Sequence, residues 1–486
     1  MRIRVLGAVA LAPLVLAACG TPPRKPDLTL PTAYQAPGAA APADAIALDQ
    51  WWTAFNDPEL TALIQTALER SPDARSAAAR LDEARATRRG TIWDIYLPDG
   101  ELQGNARRTD SKVLDGTQLD IPGFANSGIQ KNYGLNFDVS WELDFFGARR
   151  AARQVADADY AAVRFNYEAT RASLAANVAQ SYFEARGLAI QLEDARQTAR
   201  LQNDLYQVAS KRAAAGLAAS SEADQSAASL AQSNAQAANL EAELQAAKRT
   251  LLILAGRGID PVESLPAPAA VPTAPAVPAS IPGELLARRP EVREAEMRVR
   301  SAAGTLRGAE VALFPRFTLT PGIGLTRSEL PGFESTTRAW YIGGTLMQPI
   351  LDIPQLLAQE KATRARAEQA VIAYEKAVQD AYGEAENTLV RLAADRRRVD
   401  LLTAGEARAR KAYDAARKRY DMGFDDLTAA VTAETNWRTA RTALTGAQVQ
   451  SLTRTVQAYK AIGGGWTPLD NKAATAAKTP AKEPQA

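Results

Sequence analysis

Histidine is absent from the chain, and cysteine occurs once, at Cys19. The first absence excludes histidine-dependent nucleophilic triads, imidazole-ligated zinc and the usual proton shuttle. The second excludes disulfides within the chain and cysteine-rich metal sites. Neither a nucleophile elbow nor a phosphate-cradling loop is present, so an enzyme is not expected, and no metal or cofactor either. Aromatic residues are scarce at 6% of a chain that is 46% hydrophobic, because alanine dominates the apolar fraction. Such a chain packs helices closely through small side chains rather than around a bulky globular core. An excess of one charge is also lacking: 57 Lys and Arg stand against 55 Asp and Glu. That balance leaves no electrostatic footprint for nucleic acid. No run of about 18 uninterrupted apolar residues follows the N-terminal segment, so no ordinary helix crosses a bilayer.

What is present begins with an address. In MRIRVLGAVALAPLVLAACG, Arg2 and Arg4 precede a short apolar core from Val5 to Ala18. Residues 1–18 read as a signal peptide. Leu16 to Cys19 resembles a bacterial lipobox, in which cleavage precedes the cysteine and the cysteine is then acylated. That makes Cys19 the lipidated N-terminus, and Gly20 in place of Asp implies delivery to the outer membrane. The alternative is an ordinary secretory signal with an unrelated cysteine. Residues 19–50, rich in Pro and Ala, read as an extended tether.

The rest of the chain carries one plan twice. Arg70–Gly90 aligns with Arg288–Gly308: Pro72 matches Pro290, Asp73 matches Glu291, and Arg89-Gly90 matches Arg307-Gly308. Leu143-Asp144 matches Leu351-Asp352, and Lys211–Glu222 matches Lys418–Ala429, in the same order. The copies occupy residues 51–259 and 283–466. A Pro/Ala-rich connector, 260–282, lies between them, and a polar tail, 467–486, reads as disordered. Each copy predicts helix, strand, strand, long helix, turn, helix. Small and apolar residues recur at three-four spacing, as at Leu174, Val178, Tyr182, Ala185, Leu188, Leu192 and Ala195. This implies long helices packed as in coiled coils. Asp57-Pro58 and Ser71-Pro72 read as N-cap and N1 pairs.

Four segments read as strands. Tyr133, Leu135, Phe137, Val139 and Trp141 alternate with polar residues; so do Phe317, Leu319, Pro321, Ile323 and Leu325. Trp340, Ile342 and Leu346 share a face of 338–349, and Gly100–Arg108 is the weakest case. Each is close to the nine to eleven residues or so that a tilted membrane strand needs. The other explanation is a half-buried soluble sheet. Four strands cannot close, and open edges are not tolerated in lipid. Counting alone allows a dimer with eight strands or a trimer with twelve.

The lipobox, the opening Trp51–Asp73, the strand ending SWELDFFG and the paired KRAAAGL and KRYDMGF turns resemble the outer membrane factor family. The likeness covers roughly Trp51 to Trp466. The resemblance implies a mainly α, TolC-like fold: long antiparallel helices form a periplasmic α-barrel, and four strands per protomer join a twelve-stranded trimeric β-barrel. It further implies a homotrimer in the outer membrane and a passive exit duct for small molecules, without enzymatic activity. The partners implied are a periplasmic adaptor and an inner-membrane transporter of the RND type. On this resemblance Gly216-Leu217 and Gly423-Phe424 are the tips that dock the adaptor. Asp425 and Asp426, beside Asp421, are candidates for the closed aperture, with Arg419 and Tyr420 as latch partners. The alternative for Asp425 and Asp426 is a helix cap at the positive end of the dipole. The first tip departs from the acidic pattern, with only Glu222 and Asp224. Protein or oligosaccharide export on the same fold, and a lipid-anchored scaffold without a pore, are the competing functions.

Overall fold

The computed structural model describes residues 26–36, 48–112, 128–278, 282–330 and 333–467. The signal peptide, Cys19 and residues 468–486 of the tail lie outside the described residues.

The plan repeats as expected. A short 3-10 segment, Leu48–Phe55, leads into helices α1 (Pro58–Arg70) and α2 (Pro72–Tyr96). Strands β1 (Asp99–Ser111) and β2 (Gly128–Leu143) follow, then the hairpin of α3 (Ala148–Ala214) and α4 (Ser220–Leu254). The second copy runs through α5 (Leu285–Arg288), α6 (Pro290–Val311), β3 (Arg316–Leu330), β4 (Phe333–Met347), α7 (Ile353–Asp421) and α8 (Leu427–Ala461). It departs from the first in its opening helix, which has 4 residues in α5 against 13 in α1. The strands extend beyond the alternating segments, to between 13 and 16 residues. Only β4 stops short of the expected end, at Met347 instead of Pro349.

Two units divide the chain. One holds residues 82–162 and 296–374, and its centre is a single antiparallel sheet in the order β1-β2-β3-β4. Paired residues share a face, so the register extends the alternation across all four strands. Leu102, Phe137, Ile323 and Trp340 make one row, and Leu143, Phe317 and Leu346 another. Phe137, Ile323 and Trp340 are 44%, 49% and 78% exposed, so this apolar face is uncovered among the described residues. The opposite face carries Glu101, Asp138 and Tyr341 about Gly322, and Gln103 and Asn136 about Gly324. The Tyr341 hydroxyl donates to Asp138 across that face. The β2–β3 ladder breaks at Val139 and Ser140. By register they oppose Pro321 and Thr320, and a proline has no N–H to donate. At the foot of the sheet Phe145 meets Phe317 at 5.0 Å and Phe146 stacks on Phe314 at 4.8 Å. Asp144 then caps α3, accepting from the Gly147, Ala148 and Arg149 amides at 2.7, 2.8 and 3.1 Å.

The other unit comprises residues 27–81, 163–295 and the chain beyond Glu375. Its core holds a cluster of aromatics. Trp51 is fully buried, stacked on Tyr459 of α8 at 5.7 Å and edge-on to Trp52 and Phe55. Phe55 reaches Phe183 of α3 at 5.1 Å. Asp57 caps α1 through the Glu59 and Leu60 amides and also pairs with Arg186 at 2.5 Å. Tyr182 donates to the same carboxylate at 3.0 Å. Burial among these anions pushes its phenol well above the ordinary range. The connector is fastened by its carbonyls. Ala270 accepts from Arg186, Pro275 from Arg396 and Ala276 from the Tyr459 hydroxyl. Residues 27–36 are fastened too: the Asp27 and Gln35 amides donate to Glu375 and Glu386 of α7, and Tyr34 stacks on Tyr382.

Trp51→Ala removes the centre of this aromatic packing and should cost about 3–5 kcal/mol. Thermal melting followed by near-ultraviolet circular dichroism is the measurement. Trp93→Ala, at a position 61% exposed, should leave the transition in place.

Candidate functional site

The two hairpin tips end their first helix in the same way. After α3, the Leu217 amide donates to the Arg212 carbonyl at 2.9 Å and Gly216 to Ala213 at 3.0 Å. After α7, Phe424 donates to Arg419 at 2.8 Å and Gly423 to Tyr420 at 2.9 Å. This closure needs a left-handed residue, and Gly216 and Gly423 supply φ of +72° and +77°. Leu217 and Phe424 follow the glycines, each 72% exposed, and Met422 is 63% exposed.

The charged residues differ between tips. At the second, Arg419 holds Asp425 with two parallel hydrogen bonds, Nε to Oδ2 at 2.7 Å and Nη2 to Oδ1 at 2.8 Å. That pair holds the Asp425 carboxyl below its ordinary range. Asp426 is the N-cap of α8, accepting from the Ala429 amide at 2.8 Å. Arg417 pairs with Asp421 one turn apart, at 3.3 Å. The Tyr420 hydroxyl makes no hydrogen bond among the described residues, whereas its carbonyl closes the turn. At the first tip Ala219 occupies the N-cap of α4 and offers no side-chain bond. The structure therefore brings Arg419 and Asp425 together, engages Asp426 with its own helix, and leaves Tyr420 outside the charged pair.

One charged cluster escaped the sequence expectations. Asp194 of α3 is 3% exposed, with Arg441 and Arg438 of α8 at 3.1 and 3.5 Å. Burial raises its carboxyl despite the two guanidinium groups. Arg438 also pairs with Glu434, and Trp437 stacks on Tyr413 at 5.3 Å. A cavity of about 710 Å³, lined by Gln191, Thr198, Gln236, Leu240 and Thr439 among others, opens beside Asp194. Glu434, Arg438 and Arg441 recur at helical spacing, the signal that marks one charged face of α8.

A sheet whose apolar face is bare among the described residues, and long helical hairpins with glycine-closed tips, are parts that suit a membrane duct. A family profile described as "Outer membrane efflux protein" matches residues 63–257 and 281–464. The chain belongs to this outer membrane efflux protein family and is an efflux channel of the outer membrane. It is 29% identical over 459 residues to the pyoverdine export outer membrane protein OpmQ of Pseudomonas aeruginosa, covering 93% of this chain and 95% of that protein. The solved structure of the outer-membrane channel OprN matches with a TM-score of 0.75 at 28% identity, over 91% of this chain and 99% of that one. The open state of the Neisseria gonorrhoeae channel MtrE matches with a TM-score of 0.78 at 25% identity, over 93% and 99%.

Two outcomes check the tip chemistry. Asp426→Ala should loosen the first turn of α8 by about 1 kcal/mol, seen as faster hydrogen exchange there, with no change at Ser220–Asp224. The Arg419–Asp425 pair has a depressed carboxyl, so its contribution is complete above the ordinary value of 3.8 and is lost as pH falls through the lower folded value. Exchange at Met422–Asp426 should therefore rise only in strong acid in the wild type, whereas Arg419→Gln should raise it already at neutral pH.

Proposed function

We propose that the chain is the exit duct of a tripartite efflux system, a homotrimer that conducts small molecules passively and performs no catalytic step. The observation that carries this is the sheet: an apolar face with an unpaired edge on β1 and on β4 among the described residues. From Leu143 to Tyr133 the outward residues of β2 span ten positions. That is about 34 Å of strand, or about 26 Å when tilted by ~40°, the height of an outer-membrane apolar band. Edges left open in lipid cost several kcal/mol for each bare amide or carbonyl, so each β1 pairs with the β4 of another copy. Three copies give twelve strands and a lumen wide enough to conduct; two give a barrel filled by its own side chains.

The helices leave the sheet at Leu143 and Met347, and in this orientation they lie on the periplasmic side. The exposed Leu217, Met422 and Phe424 at the glycine-closed tips suit an apolar docking surface for a periplasmic adaptor. The adaptor connects to an inner-membrane transporter of the RND type. Threefold copies of Asp425 and Asp426, with Asp421, Arg419 and Tyr420, ring the aperture. The Arg419–Asp425 pair supports a latch that holds it narrow. Cys19 carries the lipid that anchors the N-terminus, and no other cofactor takes part.

Reconstituted in planar bilayers, the protein should run as a heat-modifiable trimer and conduct ions. A monomer without conductance would sink the duct. Asp425→Asn with Asp426→Asn should raise single-channel conductance; an unchanged value would reduce both residues to turn chemistry. In the apolar band, Ile323→Arg should impair insertion by about 2–4 kcal/mol, while Asn136→Arg on the other face should insert normally.

A further inference from the structure

The outward face of the sheet does not end in apolar residues at the hairpin end. The register places Arg338 in the row of Leu135 and Leu325, and Arg327 in the next row beside Tyr133. Arg108, Lys131, Glu329 and Glu334 form the row beyond, and Asp110 the one after. Over the same stretch the opposite face holds Arg107 with Asn105, Thr109, Gln130, Asn132, Thr326 and Ser328. The cations thus gather on the side that continues the apolar band.

Two of the four are matched within the sheet. Glu329 accepts from Lys131 at 3.2 Å and from Arg327 at 3.1 Å, and Arg327 also pairs with Glu334. Arg108 and Arg338 have no carboxylate partner among the described residues. Arg338 stands two positions from the exposed Trp340, on the same face. A guanidinium on a lipid-facing surface is tolerated near the interface, where its head reaches polar groups of the lipid. At the helix end the corresponding outward row is Leu143, Phe317 and Leu346, without charge.

The geometry points to a binding surface for the phosphates of an outer-leaflet glycolipid, formed by Arg108 and Arg338 with Lys131 and Arg327 beside them. Planar guanidinium groups match phosphate oxygens two at a time. Arg108 on β1 and Arg338 on β4 stand at opposite edges of the sheet, so each engages a phosphate of its own, and Tyr133 and Trp340 flank the acyl chains. This inference rests on the proposed duct, because the orientation of the sheet decides which leaflet meets these rows.

The test is retention of lipopolysaccharide by the purified full-length protein through detergent washing, read by native mass spectrometry. Wild-type protein should retain the phosphorylated form. Arg108→Gln and Arg338→Gln should each lower retention by about fivefold. Arg107→Gln on the opposite face and Arg150→Gln on α3 should keep it. The dephosphorylated form should be washed from all variants. Equal retention by the double variant R108Q/R338Q would overturn the site, as would equal retention of the dephosphorylated form. Retention of phosphatidylglycerol from vesicles as strongly as the glycolipid would overturn the choice of ligand. Conductance of the wild-type preparation separates the two proposals. A conducting trimer without bound glycolipid loses only the lipid site, whereas a preparation that does not conduct loses the duct.

Discussion

Backbone hydrogen bonding in lipid is the constraint on which this protein depends. A four-stranded sheet has two edges, and here the edges border a face of Leu, Phe, Ile and Trp. Neither feature is stable alone. Water would satisfy the edges but not the apolar face, and hydrocarbon would cover the face but not the edges. Only closure with further copies satisfies both. The glycines on the other face are part of the same solution. A Cβ on Gly322 would lie 2.5 Å from the Tyr341 ring and 2.8 Å from Asp138. Gly324 would meet Asn136 in the same way. The polar side chains cross the strands because these positions are bare.

A core poor in aromatics places those it has at a junction. Trp51, Phe55, Phe183 and Tyr459 join the chain before α1 to α3 and α8, so the start and end of the described chain share one packing centre. The polar residues of the same opening serve it as well. Asp57 ends the turn, caps α1 and meets Arg186, whose guanidinium also holds the connector at Ala270. Tyr459, its phenol pushed up to about 12 by burial, stays a neutral donor to Ala276. Internal symmetry extends to backbone contacts. A Cβ on Gly256 would lie 2.6 Å from the Arg70 carbonyl, and one on Gly463 would lie 2.5 Å from that of Arg288. The arginines match in the two copies, so each copy seats the end of its hairpin against its own opening helix.

The tips show the same turn with different chemistry attached. Both close on a glycine followed by an exposed hydrophobe, but only the second starts its next helix with an aspartate cap and pairs the preceding carboxylate with arginine. Two adjacent aspartates thus have different tasks, because one faces the amides of α8 and the other the last turn of α7.

The sequence by itself determined the element order, the strand alternation, the repeat and the glycine-closed tips. These are properties of local period and turn chemistry, legible in residues such as Tyr133 to Trp141 or Gly423. It also distinguished the faces of each strand, but not which strands stand side by side. Tertiary structure decided the rest. Register brought Arg338 beside Leu325 and Asp138 beside Tyr341. Proximity across the turn assigned Asp425 to Arg419, where sequence left a gate and a cap as equals. Packing turned the expected tether and connector, at residues 27–36 and 260–278, into fastened segments, because their carbonyls and amides met side chains far away in the chain. Asp194 remained hidden for the same reason: its arginines lie on α8, well over two hundred residues later, and only folding makes them neighbours.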